Sequence, residues 1–312
     1  MTAAVYCTFA AVMNPASPPA PPPTSSLKSW LAFFACSAIW GSTFLVISIG
    51  NESVPPMWAA SIRLVLAGIL LTTLAFVTGT GLPRGPALAA AAQFGFLNFG
   101  LSFCLLYWGE TAVPSGLTAV IYGIIPLATA LFARMFGLER LNALKIGAAL
   151  IAFAGVAGIF LGQLQANVAP GPMFAVVLAA ISASLSGVML KRGPRQAPFG
   201  ANAIGCMVGL PVCLAGSFLS GEAHVIPTTL AAWGPIVYLT VAGSVGAFVL
   251  YAWLVNRWIV SRISFIAVIV PIVALALGTF AHHERFPAAS LLGVGMVFAG
   301  LALSIAADRI KR

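Results

Sequence analysis

The sequence predicts an all-α integral membrane protein: ten transmembrane helices forming two inverted five-helix repeats, with both termini in the cytoplasm. Three observations predict it. Hydrophobic residues make up 61% of the 312 positions and charged residues only 7%, whereas a soluble domain carries about a quarter charged residues. Apolar stretches of helix-spanning length recur along the chain, each followed by a short polar gap. The chain also repeats its rarer residues when compared with itself at an offset of 145.

Residues 1–27 form a leader with Pro15, Pro18, Pro19, Pro21, Pro22 and Pro23, a composition expected to be disordered. Residues 3–13 are mildly apolar, but no Lys or Arg precedes them, so a signal peptide is not expected and Met13 is an alternative start. The spans then fall near 30–50, 56–78, 87–108, 114–136, 143–162, 172–191, 201–220, 233–255, 263–280 and 288–307. Gly, Pro and Ala are too frequent, and alternation too absent, for barrel strands. The first repeat is assigned to 28–165 and the second to 166–312.

With the N-terminus inside, Lys28, Arg84, Arg134, Arg140, Lys145, Lys191, Arg192, Arg195, Arg257, Arg262, Arg309, Lys311 and Arg312 lie at the cytoplasmic face. Only Arg285 lies outside, and Arg63 is within a span. The positive-inside rule selects this orientation. The cations are dispersed in gaps, so no nucleic-acid stripe is expected despite the net charge of +9. Cys7, Cys36, Cys104, Cys206 and Cys213 are scattered, and the last two are roughly 10 Å apart along one helix, too far to bridge.

At the offset of 145, Trp108 falls on Trp253, Pro126 on Pro271, Glu139-Arg140 on Glu284-Arg285, and Phe153-Ala154-Gly155 on Phe298-Ala299-Gly300. Five spans per repeat is an odd number. The second repeat therefore enters the membrane upside down, as in many secondary transporters.

The run Ala38-Ile39-Trp40-Gly41-Ser42-Thr43-Phe44, then Val54-Pro55-Pro56, then Arg63 and Ala67, resembles the opening of the drug/metabolite transporter superfamily, EamA branch. The stretches from Pro126 through Glu139-Arg140 to Gly155, and from Pro271 through Glu284-Arg285 to Gly300, resemble that family's repeat endings. The resemblance covers residues 30–307. It implies a ten-helix exporter whose central cavity is lined mainly by spans 1, 3, 4, 6, 8 and 9, with spans 5 and 10 peripheral. Amino-acid exporters, including those handling aromatic amino acids, are the relatives it suggests. Span 6 departs from the pattern: Ser184 to Val188 lacks the Trp-Gly-Ser of span 1.

The candidate site residues come from the spans' polar and aromatic positions. Ser115, Thr118, Tyr122 and Thr129 of span 4 fall within about 60° of one another on an ideal helix. They read as a cavity wall, or else as hydroxyls bonding their own i−4 carbonyls. Asn98 and Ser102 lie one turn apart in span 3, and Asn98 must pair with substrate or with another helix. Span 8 offers Ser244, Phe248 and Tyr251. Trp40, one turn from Phe44, is the expected deep aromatic contact, while Trp108 and Trp253 read as interfacial anchors. Pro126 and Pro271 are candidate hinges, because each deprives the carbonyl four residues back of its donor. Arg63 either snorkels outward toward Glu52 or Glu110 or attracts a substrate carboxylate at the outer mouth. Pro211 and the Ala201-Gly205-Gly209 and Ala154-Gly158-Gly162 ladders read as packing features.

These readings point to a transporter of small metabolites, most plausibly amino acids with large apolar or aromatic side chains, in the bacterial inner membrane. Neutral metabolites or drugs are the alternative cargo, and a channel or an intramembrane enzyme is disfavoured. No cofactor, metal or nucleic-acid partner is expected; His282-His283-Glu284 is too short for a metal site. The expected partners are the substrate and the lipid bilayer, and the oligomeric state is left open. Every carboxylate and His is expected at a span end or in a loop, which favours facilitated over proton-coupled transport, with Glu110 the residue best placed to reverse that.

Overall fold

The computed structural model describes residues 27–140, 142–159, 169–273 and 288–309. The leader and the His282-to-Arg285 turn lie outside the described residues. The helices in chain order are α1 (Leu27–Asn51), α2 (Pro56–Val77), α3 (Pro86–Gly109), α4 (Ser115–Met135), α5 (Ala143–Ile159), α6 (Pro170–Arg192), α7 (Pro198–Leu219), α8 (Leu230–Val255), α9 (Val260–Val273) and α10 (Ala288–Arg309). Among the described residues there is no strand. Seven of these helices (α1–α4 and α6–α8) are long and apolar enough to cross a membrane; α5, α9 and α10 contain shorter apolar stretches. Pro opens α2, α3, α6 and α7 within their first two positions, where its missing N–H costs no helical bond. Gly137 and Gly221, just past α4 and α7, have φ of 69° and 68°, the left-handed backbone that stops a helix at low cost.

Matched helices of the two halves pack antiparallel. A Cβ at Gly155 of α5 would lie 2.6 Å from the Gly293 carbonyl, and one at Gly300 of α10 would lie 2.6 Å from the Ala148 carbonyl. Positions 148 and 155 shifted by 145 become 293 and 300, so this seam is its own image under a twofold exchange of the halves. Between α2 and α7, Gly68 faces Cys206 while Gly216 faces Met57, again antiparallel. Helix α3 meets α7 through Gly95 on Gly205 and Phe99 on Gly209, where only small residues let the backbones approach. The close thiol pair joins Cys213 to Cys104, with Sγ atoms 3.5 Å apart.

The two ends of the bundle differ in charge. Lys28, Arg84, Arg134, Arg140, Lys145, Lys191, Arg192, Arg195, Arg257 and Arg262 belong to one end. There Glu139 accepts from the Ser261 N–H and pairs with Lys145 at 2.8 Å, and Lys191 donates to the carbonyls of Val255 and Trp258. At the other end Glu222 accepts from the N–H groups of Met57 and Trp58 at 3.1 and 2.8 Å. It supplies the anionic cap that Pro55 cannot give α2.

Candidate substrate cavity

Two helices near the centre of the bundle are locally underwound. Phe96–Ser102 in α3 and Leu239–Ala247 in α8 are π-helical, a distortion that rotates side chains off the regular helical stripe and recurs at functional sites. In α3 the stretch buries Asn98 and Ser102. Ser102 donates to the Ala179 carbonyl of α6 at 2.9 Å, and Ser182 of α6 donates to the Leu97 carbonyl at 2.7 Å. Ser186 donates to Asn98 Oδ1 at 3.3 Å, while Asn98 Nδ2 is buried with no partner among the described residues.

Between these stretches lies a cavity of about 120 Å³. Roughly 10–15 Å³ on this measure holds one water, so the space suits one metabolite about the size of ten waters. Its walls come from α1, α2, α3, α4, α6, α8 and α9. Helices α5, α7 and α10 contribute no lining residue among those described. Most of the wall is apolar and aromatic: Trp40, Phe44, Phe103, Tyr122, Phe248 and Tyr251 all face it. Trp40 lies 4.9 Å from Phe248 and 5.5 Å from Tyr251, and Phe44 lies 5.1 Å from Tyr122, by ring centroids. A side chain at Gly187 would collide with the Tyr251 hydroxyl, so this glycine lets the ring lie against α6.

Among the described residues Arg63 is the one cation in that wall. It is 3% exposed, donates from Nε to Ser244 Oγ at 2.8 Å and from Nη1 to Tyr107 Oη at 3.1 Å, and stands 4.6 Å from the centre of the Phe103 ring. Gly243 makes room for it, since a Cβ there would lie 3.0 Å from Nη2. The expected snorkelling toward Glu52 or Glu110 is corrected: the side chain turns inward, because two hydroxyls and a ring face compensate it locally. No carboxylate among the described residues pairs with it.

Of the sequence candidates, Trp40, Phe44, Asn98, Ser102, Tyr122, Thr129, Tyr251 and Arg63 face the cavity, and Ser244 reaches it through Arg63. Ser115 and Thr118 do not line it. They share the unbroken first half of α4 with Tyr122, which does line it, so depth along the helix rather than rotation leaves them out: Thr118 and Ser115 stand roughly 6 and 10 Å from Tyr122 toward the start of α4. Helix α4 then breaks at Gly123–Ile124. The break sits just ahead of Pro126, which opens the second half. Helix α9 differs: it breaks at Ser264–Phe265, and Pro271 falls inside the following helical turns. The two prolines therefore do not mark equivalent interruptions.

Thr43, Phe103, Ser184 and Ser264 were not among the candidates and line the cavity. Phe103 was detectable, since the offset of 145 places it on Phe248. Glu110, expected at a span end or in a loop, immediately follows α3, and there it is only 6% exposed, with neither carboxyl oxygen in a hydrogen bond of good geometry among the described residues.

The sequence matches the EamA-like transporter family twice, over residues 27–161 and 171–306. It is 30% identical to an inner membrane transporter of Escherichia coli (strain K12) named YedA and described as uncharacterized, over 87% of this chain and 89% of that one. It is 22% identical to a Salmonella typhimurium protein named "Probable amino-acid metabolite efflux pump", over 88% of this chain and 93% of the other. A solved structure titled "Crystal structure of protein", 18% identical, superposes with a TM-score of 0.72 over 91% of this chain and 99% of that one, which shows a shared fold. Two matching halves, apolar helices of membrane-crossing length and a central cavity walled by both halves thus converge: the chain is a multi-pass membrane protein that belongs to the EamA-like transporter family.

Proposed function

We propose that this inner-membrane protein exports a small metabolite bearing a carboxylate, by alternating access, with the carboxylate held against Arg63. The observation that carries the reading is a guanidinium 3% exposed in the cavity wall whose hydrogen-bond partners are neutral hydroxyls. An arginine inside a membrane protein is costly and marks a pathway or a partner, and planar carboxylates are what a guanidinium pairs with best. Asn98 Nδ2 adds a second unused donor to the same cavity. The rings of Trp40, Phe44, Tyr122, Phe248 and Tyr251 suit an apolar side chain and can take an ammonium on their faces. Amino acids with large apolar side chains combine these features, and the name of the Salmonella relative supports both that class and the outward direction.

The accompanying topology is ten spans in two inverted repeats, 28–165 and 166–312, with cytoplasmic termini. Its support is the antiparallel packing of matched helices and the cation-rich end of the bundle. The mainly apolar wall favours one second reading, a neutral aromatic cargo with Arg63 serving only to tie Ser244 to Tyr107.

Counterflow in proteoliposomes tests the assignment. With phenylalanine as the probe and phenylalaninamide as the uncharged-end control, wild type is expected to exchange the first and reject the second. Arg63→Gln should lower phenylalanine exchange about a hundredfold, the scale of about 3 kcal/mol for a lost charge-assisted contact. Equal exchange of acid and amide by wild type, or wild-type flux in Arg63→Gln, overturns the carboxylate reading.

A further inference from the structure

The corner between α3 and α4 holds a buried carboxyl group, that of Glu110. Glu110 follows Gly109, the last residue of α3, and Thr118 stands in the first half of α4. Glu110 is 6% exposed and Thr118 is fully buried; the two carboxyl oxygens and the Thr118 hydroxyl have no hydrogen bond of good geometry. A carboxylate at a helix C-terminus also meets the negative end of the helix dipole.

Apart from the Thr118 hydroxyl, what surrounds Glu110 gives no compensation among the described residues. The titratable groups facing it are Tyr107 on its own helix and Tyr122 on α4. From α2, Arg63 reaches Tyr107 and Ser244 instead. Helix α6 brings Pro172 and Val176 against neighbouring Gly109. Helix α7 offers Cys213, and Glu222 beyond its end is bonded to Met57, Trp58 and Ser217. From α1, Asn51 Nδ2 donates to the Tyr107 carbonyl.

A carboxylate shut away from water with one hydroxyl at most to compensate it is disfavoured against the neutral acid, so the group is neutral while it stays dry. Burial pushes the Glu110 carboxyl well above the usual carboxylate range, opposed by the Thr118 hydroxyl. The corner is also mechanically close to the cavity. Leu106, one turn before Glu110, and Tyr122, one turn after Thr118, both line it.

We propose that Glu110 is a proton-binding gate of the cavity: it holds a proton while the α3–α4 corner is buried, and it releases that proton to water whenever the corner opens. The step is a single ionisation, carboxylic acid to carboxylate plus a proton taken by water or buffer, with no change of redox state. Its sign follows from linkage. In the open state the carboxyl titrates near its ordinary range, about 4.3, and in the closed state above it. Between those two values the closed state binds one extra proton, so the ratio of open to closed rises about tenfold per pH unit. Below the open-state value the bias toward the closed state is complete, and it is lost as pH rises through the closed-state value. This proposal does not depend on the identity of the cargo.

Two measurements on the purified full-length protein test it. Infrared spectra at pH 7.5 should show a protonated carboxyl band that disappears in Glu110→Gln; no band in wild type, or an unchanged band in the variant, overturns the proposal. Leu106→Cys, in a background with the native cysteines replaced by Ala, reports opening through its labelling by a membrane-impermeant maleimide. Relative to the same probe carrying Glu110→Gln, which corrects for thiol ionisation, labelling should rise about tenfold per pH unit. Parallel pH profiles in the two backgrounds overturn the gate. If Glu110→Gln does not fold, Glu110→Asp keeps the titration and should keep the rise; a flat profile in Glu110→Asp, or the absence of the wild-type band, then decides against it.

Discussion

The two π-helical stretches make an instructive pair. Phe96–Ser102 shifted by 145 gives 241–247, which lies inside Leu239–Ala247. The same backbone distortion therefore stands at the same place in both halves, and Phe103 and Phe248, which follow each stretch, both face the cavity. The polar chemistry is not shared. Asn98 of α3 corresponds to Gly243 of α8, which has no side chain, and the vacated space is filled by Arg63 from α2. Arg63 and Glu110 themselves correspond to Val208 and Val255. Duplication preserved the deformed scaffold, and among the described residues the buried Arg and the buried Glu both lie in the first half.

If that asymmetry is what the site depends on, restoring symmetry should be the most damaging change. Gly243→Asn puts the first half's residue into the second and displaces Arg63 from Ser244. Losing that hydrogen bond to a charged group should cost about 1.5–3 kcal/mol of stability, and moving the guanidinium off its place in the cavity wall should lower exchange flux about ten- to hundredfold. Wild-type flux would mean that the position of Arg63 is not critical. The α5–α10 seam provides the opposite case, since it is symmetric and remote from the cavity. Gly155→Ala and Gly300→Ala each force a Cβ against a carbonyl at 2.6 Å, so each should destabilise by about 1–3 kcal/mol, equally and without altering substrate affinity. Unequal thermal shifts would break the twofold account. The smallest effect is expected at Ser102→Ala, which removes a neutral hydrogen bond to Ala179 and should cost about 1 kcal/mol of stability with flux within a few-fold of wild type.

Much of the site could be read from sequence because spans that are polar or aromatic at depth stand out against an apolar background. Trp40, Phe44, Asn98, Ser102, Tyr122, Thr129 and Tyr251 were identifiable on that basis, and all face the cavity. Ser115 and Thr118 were misplaced for a physical reason: sharing a helix face with Tyr122 does not put a hydroxyl at the depth of the cavity, and both stand nearer the start of α4. The π-helical stretches are not legible in the sequence because no residue type obliges that geometry. Glu110 stands at the end of a span as its sequence position indicates, but position along the chain does not give depth in the bundle. A residue just past a helix end is buried when the neighbouring helices overhang it.

By itself, then, the sequence determined that the chain lives in a bilayer, that it is helical, and that it is built from one unit used twice. Those properties rest on hydropathy, on helix-breaking residues and on an offset, all of which are written along a single dimension. Only the tertiary structure decided what Arg63 meets, since its two partners lie 44 and 181 positions away, and whether Glu110 touches water. Charges in a low-dielectric interior are governed by what surrounds them within a few ångströms, and folding assembles those surroundings from distant parts of the chain.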